Sequence, residues 1–95
     1  RHFQQDAETD GGDPLLRLKA LFAEAAPFAA LTGREKEVCL RILTGFSSEA
    51  IASELGISLH SALTYRKRAY EKLGISSQNE LFAIVLRVMA AHRLN

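Results

Sequence analysis

The sequence predicts an all-α fold: a four-helix bundle built on a helix-turn-helix, with one extra helix in front of it. Three observations predict it. Helix start signals recur along the chain. Thr32 with Glu35, and Ser77 with Glu80, have the T/S-x-x-E spacing of a capping box, and Ser47 and Ser58 stand where an N-cap hydroxyl is wanted. Stop signals answer them, because Gly45, Gly56 and Gly74 each follow a stretch with apolar residues at helical spacing. Finally, no run shows the sustained alternation and β-branched enrichment of a strand, and no internal repeat is visible.

A chain of 95 residues sets one small domain with a modest core as the expectation. It divides by composition into residues 1–30, a linker and N-terminal helix, and residues 31–95, the bundle itself. Residues 1–13 are polar, with Gly11-Gly12 and four acids, and read as a flexible linker. Asp13-Pro14 then reads as a helix start, with Asp as the cap and Pro at the first helical position. Leu15, Leu18, Leu21 and Phe22 share one face of that helix, which should stop near Ala26, before Pro27. It docks either on the bundle or on a domain outside this chain. The start at Arg1 rather than Met reads as a piece of a longer chain.

The bundle helices follow in order. Thr32 and Glu35 open one over about 33–44, with Val38, Cys39, Ile42 and Leu43 inward and Gly45 after its end. Ser47 caps a short helix to about 55, with Ile51, Ala52 and Leu55 inward. Ala50 at its third position forgoes the reciprocal half of a capping box. Gly56 makes a tight turn with Ile57 plugging the core behind it. Ser58 caps a helix over about 59–73, and Gly74 ends it. Ser77 and Glu80 open the last helix, to about residue 92.

Composition excludes several functions. No basic start runs into an apolar stretch, so no secretory signal is visible. The most apolar run, 81–91, is too short to span a membrane and is interrupted by Arg87. The one cysteine, Cys39, cannot staple the fold and suits a reducing, cytoplasmic compartment. Its apolar neighbours make it a core filler rather than a redox sensor. His2, His60 and His92 lie far apart without metal-ligand partners, so no metal or other cofactor is expected. No nucleophile-base or paired-carboxylate constellation can be assembled, and Glu35 and Glu37 read as a cap and a solvated charge, so the chain is not expected to be an enzyme. No small-molecule site is expected either.

Net charge is only +1, but its distribution is uneven. Residues 1–30 hold three basic side chains against five acidic ones, and residues 31–95 hold nine against six. Arg66, Lys67, Arg68 and Lys72 cluster on the helix after the turn, opposed there by Glu71 alone. Such a cluster fits a polyanion partner, and equally a plain solvated face. The faces of that helix speak for the partner. Ala62, Ala69 and Leu73 repeat on the core side, with the Arg66 stem packed among them and its guanidinium reaching out. The opposite side carries His60, Leu63, Thr64, Lys67 and Glu71. A Lys there can reach guanine O6 or N7, and a Thr or Leu can meet a thymine methyl. Arg66, Arg68 and Lys72 lie towards the flanks, where phosphates run. A short helix joined by Gly56-Ile57-Ser58 to a basic helix is the geometry that sets the second into the major groove of double-stranded DNA.

The stretches L-T-G-R-E-K-E-V-C (31–39), G-F-S-S-E-A-I-A-S-E-L-G-I-S (45–58) and Y-R-K-R-A-Y-E-K-L-G-I-S-S-Q-N-E-L (65–81) resemble the LuxR/GerE-type DNA-binding domain of bacterial transcription regulators. The resemblance runs in order over 31–88. It implies a four-helix, winged-helix-like domain with its third helix in the major groove and its fourth pairing two subunits. By resemblance, Leu63, Thr64 and Lys67 fall where family members touch bases. Ser47, Ser48, Ser61, Tyr65 and Arg66 fall where phosphates are held or the helix is braced. The family usually has Thr-Val-Lys where this chain has Ser61-Ala62-Leu63, His for Tyr65 and Arg for Gln78, so a different target sequence is expected.

The last helix is apolar on more than one face. Leu81, Phe82, Val85, Leu86 and Met89 are the candidates for a homodimer interface, since two-fold DNA sites suit two-fold proteins. The other reading is a monomer that hides this surface under its own N-terminal helix. RNA polymerase is the further partner a transcription regulator implies. Two other functions compete. One is a promoter reader like the fourth region of a sigma factor, against which K-L-G-I-S-S-Q-N-E-L speaks. The other is a helical interaction module that no longer holds DNA, a reading that draws on the missing cation at Leu63.

Overall fold

The computed structural model describes residues 14–93. The linker over 1–13 and the Asp13 cap lie outside the described residues. Helix α1 spans Pro14–Glu24, and a 3-10 turn follows over Phe28–Ala30. Helices α2 (Gly33–Leu43), α3 (Ser48–Leu55), α4 (Leu59–Leu73) and α5 (Gln78–Arg93) complete the all-helical fold. No strand occurs among the described residues.

The caps explain where each helix begins. Thr32 Oγ1 accepts from the Glu35 backbone N–H at 3.2 Å, and Glu35 Oε1 accepts from the Thr32 N–H at 2.9 Å, a complete capping box. Ser47 and Ser58 accept from the N–H groups of Ala50 and Ser61. Ser77 likewise accepts from the Glu80 N–H, but Glu80 reaches one residue further back than expected, to the Ser76 N–H at 2.8 Å. That bond and the Ser76 and Ser77 hydroxyls hold the Glu80 carboxyl below its ordinary range.

Three helices end in the same way. The residue that follows the terminal glycine donates its N–H back five positions: Phe46 to the Arg41 carbonyl, Ile57 to Ala52, Ile75 to Tyr70. This is the Schellman closure, which requires the intervening residue in the left-handed region. Gly45, Gly56 and Gly74 occupy it, with φ of 96°, 68° and 73°. Each glycine is followed by an apolar side chain, and Ile57 and Ile75 pack against the core. Ile57 is half-buried rather than a full plug.

Phe22, Phe28, Leu31, Val38, Cys39, Ile51, Ala62, Ala69 and Leu81 belong to one buried cluster. It settles the position of the N-terminal helix: α1 docks on the bundle, with Phe22 stacked on Phe28 at 4.4 Å between ring centroids. The helix stops at Glu24, two residues earlier than expected, because the chain must turn to bring Phe28 under Phe22. Helix α2 is central, packing on α1, α3 and α4. It therefore buries Leu40 and Glu35 as well as the expected Val38, Cys39 and Ile42, while Leu43 is half-buried. Burial pushes the Cys39 thiol up to about 12, with the Glu35 charge adding to it. A thiol so held carries no thiolate near neutral pH, which fits a core filler.

Candidate nucleic-acid interface

Helix α4 presents its outer face because Ala62, Ala69 and Leu73 anchor the other. The two alanines are small, so α2 and α3 approach α4 closely and leave its far side uncovered by either. On that side His60, Leu63 and Lys67 are exposed and Thr64 is half-buried. Tyr65 and Ser61 are half-buried on the shoulders, and Arg68 is exposed. Ser61 is held in the first turn, its hydroxyl 3.0 Å from that of Ser58.

Two contacts fix how α4 sits. Arg66 Nη1 donates to Ser48 Oγ at 3.3 Å, joining α4 to the start of α3. The half-buried guanidinium and the exposed Ser47 thus converge at the α3 N-terminus, a place suited to an anion. On the other flank Lys72 Nζ donates to Glu35 Oε1 at 2.9 Å. Glu35 is only 3% exposed. Burial alone would raise its carboxyl, but the Lys72 hydrogen bond and charge, with the Thr32 bonds, hold it below the ordinary range. Lys72, expected among the phosphate contacts, is here the counter-ion of a buried acid while remaining 40% exposed.

The pairing of Lys72 with Glu35 escaped sequence reading. The capping spacing marks Glu35 only as a local cap, and its second partner lies 37 residues away. Leu59, which is 40% exposed at the first position of α4, also went unremarked.

The α5 candidates separate into two faces. Leu81 and Val85, expected at a dimer interface, are buried in this chain's own core at 0% and 5% exposure. Leu81 and Val85 turn inward together with Ile84 because α5 must cover the cluster centred on α2. Phe82 and Leu86 are exposed and Met89 is half-buried, forming a stripe at i, i+4 and i+7 on a different face.

Among the described residues no group of His, Cys, Asp or Glu could hold a metal ion. No described helix is long and apolar enough to cross a membrane.

Comparison with known proteins places this geometry. Residues 29–85 match the family of bacterial regulatory proteins, luxR family. A "Probable transcriptional regulatory protein NarL" of Mycobacterium tuberculosis is 44% identical over 64 residues, 66% of this chain and 30% of the relative. The "Transcriptional regulatory protein TdiR" of Thauera aromatica is 39% identical over 59 residues, covering 62% of this chain and 26% of its own. The "Response regulator GacA" of Pseudomonas aeruginosa is 36% identical over 62 residues, 65% and 29% of the two chains. The chain therefore spans less than a third of the length of these relatives. No solved structure matches it at a significant level.

Proposed function

The chain belongs to the luxR family of bacterial regulatory proteins and carries that family's DNA-binding domain, and from this premise we propose that α4 lies in the major groove with His60, Leu63, Thr64 and Lys67 against base edges. The observation that carries the reading is the outer face of α4, where basic and hydrogen-bonding side chains surround exposed positions that neither α2 nor α3 covers. Ser47, Ser48, Ser61, Tyr65, Arg66 and Arg68 hold phosphates or brace the helix, with the α3 N-terminus adding its partial positive charge. Lys72 is left out of that set because Glu35 occupies it.

Two copies act together through the Phe82, Leu86 and Met89 stripe, placing two α4 helices in major grooves about one turn, roughly 34 Å, apart. RNA polymerase is the further partner through which occupancy of DNA changes transcription. The chain itself performs no catalysis, and its place is the cytoplasm, where bacterial DNA is.

A fluorescence-anisotropy titration with mixed-sequence duplex DNA tests the reading. Binding should weaken steeply as salt rises, because phosphate contacts release counterions. Absent or salt-insensitive binding together with strong self-association would identify an interaction module instead. Within DNA binding, Arg66→Ala should weaken all sequences alike and flatten the salt slope by about one unit. Lys67→Ala should cost about 1–3 kcal/mol on the preferred sequence and relax the preference at one base pair. An equal loss on every sequence would assign Lys67 to the backbone.

A further inference from the structure

Two leucines stand out on the surface of α4. Leu59 is 40% exposed and Leu63 is 36% exposed, one helical turn apart, beside exposed His60 and Lys67. Neither belongs to the core cluster, whose side of the helix is filled by Ala62, Ala69 and Leu73. A leucine carries no donor or acceptor. It is blind to the hydrogen-bond pattern by which the four base pairs differ in the major groove. Only one group there is apolar, the C5-methyl of thymine. Half-buried Thr64 adds a further methyl next to Leu63.

We infer that Leu63, supported by Leu59, selects target sites by packing on thymine methyl groups, so that part of the sequence preference is a preference for a methylated pyrimidine and not for a hydrogen-bonding edge. The inference rests on α4 lying in the major groove. The cations Arg66, Lys67 and Arg68 supply the affinity around this apolar patch, and the patch supplies discrimination. Removing a methyl from the base then costs binding without altering charge, base pairing or any hydrogen bond.

The test uses duplexes selected by the chain from a random pool, with each thymine replaced in turn by deoxyuridine, which lacks only the methyl. Loss of one buried methyl corresponds to about fourfold weaker binding. A loss of that size is expected at one or two positions of each half-site. In Leu63→Ala the same replacement should have no effect at those positions, with helicity by circular dichroism unchanged because the side chain is outside the core. Leu63→Lys should drop the deoxyuridine effect and shift the selected base towards guanine, whose O6 and N7 accept from an ammonium. Sequence-selective binding indifferent to every deoxyuridine would overturn methyl reading and leave groove binding by α4 standing. A deoxyuridine effect that persists in Leu63→Ala would assign the methyl contact to another residue and overturn the role of Leu63. Failure to bind any duplex would remove the DNA-binding reading and this inference together.

Discussion

Replacing Phe28 with Ala should destabilise the domain by about 3–5 kcal/mol, the range for a fully buried aromatic truncated in a packed core. Phe28 is 0% exposed, and its ring is stacked at 13° on that of Phe22. Both the transfer of the ring and the cavity left beneath α1 contribute, because among the described residues Phe28 is the only ring stacked on Phe22. A domain of about 80 residues is stable by only about 4–12 kcal/mol, so the change takes a quarter or more of the total. Urea denaturation followed by circular dichroism checks it. A midpoint lowered in a single transition means that α1 folds as part of the bundle. A loss below about 1 kcal/mol, with only a small helical fraction melting early, would show α1 to be an appendage whose docking is not coupled to the core.

That residue illustrates where sequence reading stops. The start and end of nearly every helix was legible, because caps act within four residues: Thr32 with Glu35, Ser47 with Ala50, Ser58 with Ser61 are all local bonds. The glycine endings were legible for the same reason, since only a left-handed residue closes the last turn. Phe28 lies between Pro27 and Thr32, outside any stretch long enough to show periodicity, and its burial depends on α1 folding back over it. The docking of α1 is therefore set by the Phe22–Phe28 stack and not by any local signal. The apolar character of α5 was plain, but which of Leu81, Phe82, Val85, Leu86 and Met89 face inward depends on the rotation of that helix about its axis. The small core residues of α4, Ala62 and Ala69, could be placed from spacing alone because the basic residues had nowhere else to go. Helix periodicity thus orders side chains around one axis, while ion pairs and helix docking join separate axes and need the tertiary fold.

The Glu35–Lys72 pair is the case with consequences for function. Lys72→Met should cost about 2–3 kcal/mol: removing one partner of a buried pair leaves the other charge uncompensated, and Lys72, 40% exposed, is already partly screened by water. The pH dependence identifies the cause. The folded Glu35 carboxyl lies below its ordinary value of 4.5, so the stability it contributes is fully present above that value and is lost as pH falls through the lower folded value. Acidification below about pH 4.5 should therefore erode the wild-type advantage over Lys72→Met until both proteins hold a neutral Glu35, and thermal melts across pH 3–7 should show the two curves converging. A gap that stays constant across that range would place the loss in packing of the lysine stem. Salt titration with duplex DNA supplies the second discriminating measurement. A lysine that holds a phosphate contributes about one unit of slope, whereas a lysine that struts α4 against α2 contributes none. Reduced stability with an unaltered slope is expected. An intact protein with a flatter slope would return Lys72 to the DNA backbone and leave Glu35 to be held by Thr32 alone.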